Sequence, residues 1–282
     1  MIQQQSLDTL IKLAIEEDLG DGDHTSLATI PAQAIGKAKL LVKEPGIIAG
    51  IEVAKTVFKL YDAQIEFRPL LIDGTAVAVG DIAFEVSGSV RSILSAERLV
   101  LNFMQRMSGI ATYTHHLVSL LGSLPTRLLD TRKTTPNMRM FEKMAVKIGG
   151  GYNHRFGLFD MILIKNNHVD FTGSITAAIE RTQTYLKEQG KELAIEVEVR
   201  NFKELNEALQ STGIQRIMLD NFSPEDLSQA LKMINGKVET EASGGITEND
   251  LVAYAKTGVD FISVGALTHQ IKSLDMSLRA VV

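Results

Sequence analysis

The segment AIEVEVRNFKELNEALQSTGIQRIMLDN, residues 194–221, decides the fold. Within Ala194–Val199 the residues alternate: Ile195, Val197 and Val199 face one way, Glu196 and Glu198 the other, which is the two-residue period of a strand. Phe202–Gln210 then carries a helical pattern, and Arg216–Asp220 reads as a second strand. Strand, helix and strand in succession make a parallel pair with a crossover helix.

The same alternation extends outward from this unit. Further strand candidates are Arg127–Asp130, Met161–Lys165, Val238–Ala242 and Phe261–Val264. The remaining helical patterns are Asn137–Ile148, Ser174–Glu188, Pro224–Ile234 and Glu248–Thr257. Six strands are fewer than the eight of a full TIM barrel, so an incomplete barrel and an open doubly wound sheet both fit the pattern. Residues 1–122 read differently, as a small α+β module. Ile11, Ala14 and Ile15 share a first helix that GDGDHTS at Gly20–Ser26 stops, and β-like runs follow at Lys37–Lys43, Ile65–Leu71 and Ile82–Val86. A long helix fits Ser95–Leu121, with Ser95 as its cap and Leu99, Phe103, Arg106 and Met107 on one face.

Composition narrows the function. The chain has 282 residues, 45% hydrophobic and 22% charged, with no cysteine and no tryptophan. This rules out intrinsic disorder, a disulfide scaffold, a cysteine nucleophile and a thiolate zinc site. A formal net charge of −5 argues against general nucleic-acid binding. The acidic, amphipathic start is unlike a signal or transit peptide, and no apolar run approaches the ~18–20 residues of a membrane span. The expectation is a soluble cytoplasmic protein.

In βα folds the chemistry sits at the C-terminal ends of the strands. Here those ends carry Asp130-Thr131-Arg132-Lys133, Lys165-Asn166-Asn167-His168, Glu196 and Glu198, Asp220-Asn221, Ser243-Gly244-Gly245, and Gly265-Ala266-Leu267 before His269. Arg132, Lys133 and Lys165, joined by the loop Gly149–Arg155, concentrate cations in an acidic protein, which points to a small polyanionic ligand. The glycines after the last two strands would let backbone N–H groups approach a phosphate. Glu198 and Asp220 among the cations suit sugar hydroxyls, magnesium or a developing positive charge.

Plainer readings compete. Single cations after strands are commonly solvated, and glycines there are commonly turns. His115-His116 lacks metal spacing, and Asp21-Gly22-Asp23 is only a fragment of a calcium loop. Gly149–Gly151 follows a helix, so it is no dinucleotide fingerprint.

Eight strings in order, EEDLGDGDHTS, SAERLVLNFMQRMSGIAT, LLDTRKTTP, GGGYNHRFGLFDMILIKNNHVD, EVEV, MLDNF, EASGGI and GVDFISVGALTH, run from Glu16 to His269. Together they resemble the quinolinate phosphoribosyltransferases, type II phosphoribosyltransferases of NAD synthesis. The resemblance implies an α/β protein: an N-terminal α+β sandwich over residues 1–115, then an incomplete six-stranded parallel barrel of TIM type over 116–269. Residues 270–282 would return to the sandwich. It implies transfer of phosphoribosyl from phosphoribosyl pyrophosphate to quinolinate with release of pyrophosphate and CO2, using Mg2+ and no organic cofactor. By position, Arg98, Thr131, Arg132, Lys133, His154, Arg155 and Lys165 would surround quinolinate, with Arg98 supplied by the neighbour in a homodimer. Glu198 and Asp220 would hold the ribose or the metal. Ser243, Gly244, Gly245, Gly265, Ala266, Leu267 and His269 would take the phosphate. Lys133, Lys165, Glu198 and Asp220 are the catalytic candidates.

Asn166 departs from the family's usual Lys-Asp-Asn-His and removes one negative charge. The competing functions are a paralogue associated with molybdate transport, a non-catalytic phosphoribosyl-binding protein and a phosphosugar isomerase. Neither a monocarboxylate acceptor nor an isomerase would need so many cations.

Overall fold

The structure, a computed structural model, describes residues 2–281; Met1 and Val282, at the outer ends of the expected sandwich and return segment, lie outside it. It divides into two compact units. The first comprises the chain up to His115, Thr134–Gly150 and the chain from Leu267 onward; the second comprises His116–Lys133 and Gly151–Ala266.

The chain begins with α1 (Ile2–Leu19), α2 (His24–Thr29), β1 (Ile35–Val42), β2 (Gly46–Ile47), α3 (Ile51–Tyr61), β3 (Glu66–Pro69), β4 (Ala76–Val77), β5 (Ile82–Ser89) and α4 (Val90–Leu121). Asp23 is more than a helix stop. Its carboxylate accepts the Ser26 N–H at 3.0 Å, capping α2, and its other oxygen accepts the Ser95 hydroxyl at 2.9 Å. The expected Ser95 cap is therefore corrected: α4 starts five residues earlier, at Val90, and Ser95 is an interior residue spoken for by Asp23. Helix α3 escaped the sequence reading. It forms because Ile51, Val53, Ala54, Val57 and Phe58 bury one face. Phe58 meets Phe84 edge-on at 6.1 Å, and Phe84 packs on Phe67 at 4.6 Å.

Next come β6 (Arg127–Leu129), α5 (Arg139–Ile148), β7 (Ile162–Ile164), α6 (Asn166–Thr172), α7 (Ile175–Glu188), β8 (Ile195–Val199), α8 (Phe202–Gln210) and β9 (Arg216–Asp220). The chain ends with α9 (Pro224–Ile234), β10 (Glu239–Ser243), α10 (Glu248–Ala255), β11 (Phe261–Ser263), α11 (Ala266–His269) and β12 (Met276–Val281). In the first unit a four-stranded antiparallel sheet runs β12-β1-β5-β3, so the C-terminal strand pairs with β1, Leu278 opposite Leu40. There α5 packs on α4 through Phe141 and Phe103, 4.6 Å apart. Arg106 ties the two helices through buried Glu142 at 2.8 Å and reaches the Thr268 carbonyl at 3.0 Å.

The second unit is a six-stranded parallel sheet in the order β6-β11-β10-β9-β8-β7, the incomplete barrel. Its register puts Leu163, Glu196, Arg216 and Glu239 in one row, and Glu198, Met218, Glu241 and Phe261 in the next. The opposite face, with Ile195, Val197, Val199, Ile217, Leu219, Ala242 and Ile262, is apolar and buried. The charges thus line the barrel interior. No helix among the described residues is long and apolar enough to cross a membrane.

Candidate active site

The strand ends of the second unit carry the site. Glu198, one residue before the end of β8, is buried. Its Oε1 accepts the Asn166 N–H at 3.4 Å, and Lys165 Nζ stands 3.8 Å from Oε2. Burial pushes the Glu198 carboxyl up, the Asn166 amide and Lys165 pull it down, and nearby Asp220 pushes it up again. Lys165 projects from the N-terminal end of α6, where its own amide donates to His168 Nδ1 at 2.9 Å. His168 is therefore a capping residue.

Asp220 ends β9 and pairs in register with Ser243 at the end of β10. The Ser243 hydroxyl donates to Asp220 Oδ1 at 2.8 Å, and the Asn221 side-chain amide donates to Oδ2 at 2.8 Å. Gly244 has φ +104°, and a Cβ there would run into Asn221 Oδ1 and its backbone. Only glycine fits, and the turn of Gly244 and exposed Gly245 is left open to a ligand.

The cations come from two loops. After β6, Asp130 is fully buried and Arg132 half-buried, while Lys133 is exposed, its amide donating to Thr131 Oγ1 at 3.0 Å. The Gly151–Arg155 loop adds to the free edge of β6: the Tyr152 N–H donates to the Leu128 carbonyl at 2.8 Å and the Asp130 N–H to the Tyr152 carbonyl at 3.0 Å. The Asp130 carboxylate then takes the His154 N–H at 2.9 Å. Arg155 follows, half-buried, donating to the Met161 carbonyl at 3.2 Å. Burial lowers its pKa, and the Arg132 guanidinium lowers it further. Two guanidiniums held in mutual repulsion suit a ligand with adjacent negative charges. An open cavity of about 400 Å³ lies beside Arg155, lined also by Met161, Ile164, His168, Arg181 and Tyr185.

Below this layer the barrel holds buried charge. His154 Nε2 lies 2.9 Å from Glu196 Oε2 and 3.5 Å from Glu241 Oε2, all three residues buried. Arg216 reaches Glu241 at 3.1 Å and Glu239 at 2.9 Å, and stacks on Phe261 with its guanidinium 4.0 Å from the ring centroid. Burial pushes Glu196 up to about 7 against the pull of Arg216. Burial and neighbouring Glu196 push Glu241 up to about 7.

The second unit alone brings together Thr131, Arg132, Lys133, His154, Arg155, Lys165, Glu198, Asp220, Ser243, Gly244, Gly245, Gly265 and Ala266. The other named residues belong to the first unit: Arg98 exposed on α4, with Leu267 buried and His269 exposed on α11. Asp130, Arg216 and Glu241 were not singled out from sequence as site residues. The alternation Glu239-x-Glu241 facing Arg216 carried the same two-residue signal as Glu196 and Glu198.

Comparison with known proteins gives one result. Residues 23–108 match the quinolinate phosphoribosyl transferase N-terminal domain, and residues 110–279 match its C-terminal domain. The chain is 44% identical over 285 residues to quinolinate phosphoribosyltransferase [decarboxylating] 1b of Nicotiana tabacum, covering 96% of this chain and 81% of that protein. It is 43% identical over 288 residues to the chloroplastic nicotinate-nucleotide pyrophosphorylase [carboxylating] of Arabidopsis thaliana, covering 97% and 82%. The crystal structure of NadC from Streptococcus pyogenes superposes with TM-score 0.91 at 40% identity, covering 98% of this chain and 97% of that one.

Proposed function

The chain belongs to the quinolinate phosphoribosyltransferase family, and from that premise we propose how its residues carry out the family reaction. The enzyme is a decarboxylating pentosyltransferase of NAD synthesis: quinolinate and phosphoribosyl pyrophosphate give nicotinate mononucleotide, pyrophosphate and CO2. The molybdate-associated alternative is not favoured.

The observation that carries the residue assignment is the Arg132–Arg155 pair of guanidiniums together with the Glu198 and Asp220 carboxylates at the ends of β8 and β9. Arg132, Arg155 and Lys165 hold the adjacent carboxylates of quinolinate. Lys133 meets the pyrophosphate. Breakage of the bond from C1′ to pyrophosphate puts positive charge on the ribose ring, and Glu198 and Asp220 stabilise that charge. The pyridine nitrogen then bonds to C1′; the neighbouring carboxylate departs as CO2, leaving its electron pair on C2 beside the cationic nitrogen, and C2 takes a proton from water to give nicotinate mononucleotide. Ser243 with the Gly244-Gly245 turn, and Gly265 and Ala266 after β11, bind the 5′-phosphate. No side-chain nucleophile is required.

Glu198 and Asp220 are hard oxygen donors, the donor type Mg2+ prefers, and Lys165 does not fully neutralise them. When bound with phosphoribosyl pyrophosphate, Mg2+ would neutralise charge on the leaving pyrophosphate.

The active form is proposed as a homodimer in which Arg98 enters the neighbour's site. Exposed Leu158, Phe159 and Phe171, the last 94% exposed, support an apolar contact with a second copy. The cytosol is proposed as its compartment, on the mixed-charge composition; cell fractionation tests this.

Quinolinate labelled at the 2-carboxylate tests the reaction. Labelled CO2 and nicotinate mononucleotide should appear in equal amounts with phosphoribosyl pyrophosphate and Mg2+. Consumption of nicotinate at the same rate as quinolinate would overturn the acceptor assignment.

A further inference from the structure

The family reaction uses the cations of two loops and gives no task to the carboxylate at their root. Asp130 follows β6 and is fully buried, and Thr131 and Arg132 come directly after it. Its side chain reaches the other loop, where Oδ1 accepts the His154 N–H at 2.9 Å.

The backbones of the two loops start a parallel ladder. The Tyr152 N–H donates to the Leu128 carbonyl at 2.8 Å, and the Asp130 N–H donates to the Tyr152 carbonyl at 3.0 Å. The next rung would bring the His154 N–H to the Asp130 carbonyl. The Asp130 side-chain oxygen takes that N–H instead, so the pairing closes on a side chain. Arg155 is the next residue. Its N–H donates to His154 Nδ1 at 2.6 Å, and its guanidinium donates to the Met161 carbonyl at 3.2 Å. One buried carboxylate therefore stands at the start of the Arg132 loop and holds the loop that carries Arg155. The two guanidiniums act on each other as like charges, which works to part the loops. The Asp130–His154 hydrogen bond, between two buried residues, works against that repulsion.

We propose that Asp130 is a positioning residue for the acceptor clamp: by holding the His154 N–H it fixes the Gly151–Arg155 loop against β6 and so sets where Arg155 stands relative to Arg132. The proposal rests on the reading that Arg132 and Arg155 hold quinolinate. Fully buried, Asp130 offers no surface to a substrate, and its effect on the reaction passes through Arg155.

The test uses Asp130→Ala, which removes the acceptor, and Asp130→Asn, which keeps a carbonyl oxygen in its place. Asp130→Ala should raise the KM for quinolinate about 10-fold or more, the loss expected for one charge-assisted contact. Its kcat and its KM for phosphoribosyl pyrophosphate should stay within about 3-fold, and Asp130→Asn should stay within about 3-fold of the parent throughout. With Asp130→Ala and Arg155→Ala combined, the KM for quinolinate should lie within about 3-fold of Arg155→Ala alone, because both changes remove one interaction. Amide hydrogen exchange, read residue by residue by NMR, needs no turnover. The His154 amide should be protected in the parent and exchange about 10-fold faster or more in Asp130→Ala, with the β8 and β9 amides unchanged.

A His154 amide that exchanges as fast as an open loop in the parent overturns the proposal, whether or not any variant folds. So does a folded Asp130→Ala with unchanged KM for quinolinate, or with both KM values raised alike, because a merely structural role would give either. Asp130→Asn as impaired as Asp130→Ala, or losses that multiply in the double variant, overturns it as well. Arg155→Ala with unchanged KM for quinolinate overturns the substrate reading on which the proposal rests. A raised value in Arg155→Ala beside an unchanged one in Asp130→Ala overturns the positioning role alone.

Discussion

At the scale of single residues the site depends on conformations that one atom can spoil. Gly244 sits at φ +104° with Asn221 against the position a Cβ would take. Gly244→Ala should therefore displace the phosphate turn and raise the KM for phosphoribosyl pyrophosphate about 10-fold or more, since αL strain and a clash act together. Quinolinate binding should change little, and steady-state kinetics with each substrate varied in turn separates the two. Glu241 gives a different prediction. Burial and neighbouring Glu196 raise its pKa to about 7, above the ordinary carboxylate value near 4.5. The folded state thus holds this proton more tightly than the unfolded chain, so stability falls as pH rises from about 4.5 to about 7. The cost above that window approaches about 3 kcal/mol. Glu241→Gln keeps the shape and loses the charge, and urea denaturation across pH 4.5–7 should give a flatter profile than the parent. An identical profile would show that Glu241 does not titrate there.

At the scale of elements, short polar strings decide where helices begin. Asp23 was read as part of a helix stop, yet one carboxylate both caps α2 and holds Ser95 of α4. Asp23→Ala should cost about 1–2 kcal/mol, the range for a lost helix cap, and lower Tm by about 2–6 °C in a chain of this size. Calorimetry reads this, and an unchanged Tm would show the cap to be dispensable. The strands and helices of the barrel were legible because each has one periodicity and a turn on either side: β9, α8 and α9 fall where the pattern put them. Helix α3 was not legible. Gly50 is its N-terminal neighbour and offers no side-chain cap, while its buried face is completed by Phe84 from a strand later in the chain. Helix α6 was hidden for a related reason, because Lys165-Asn166-Asn167-His168 reads as a loop until His168 accepts the Lys165 amide.

At the scale of the whole molecule, the incomplete barrel leaves β6 and β7 as the two edges of its sheet. Part of the β6 edge is taken up by Tyr152. The exposed Leu158, Phe159 and Phe171 lie on this same unit. Mixing Arg98→Ala with Lys165→Ala tests sharing of the site. Each variant alone should lose about 10- to 100-fold in kcat/KM, and mixed dimers should recover activity from the one site that keeps both residues. No recovery after verified subunit exchange would place Arg98 in its own chain's site.

The sequence by itself determined the parallel architecture and pointed to the strand ends and to a small polyanionic ligand. All three follow from local periodicity and from the kinds of residue that follow a strand. The tertiary structure alone decided that Glu196 and Glu241, from different strands, meet His154 inside the barrel. It also decided that the His154 ring accepts the Arg155 amide at Nδ1 and that α5 joins the first unit. Such facts depend on register and burial across segments far apart in the chain. Coulomb and desolvation energies grow large only once folding has removed the water between those groups.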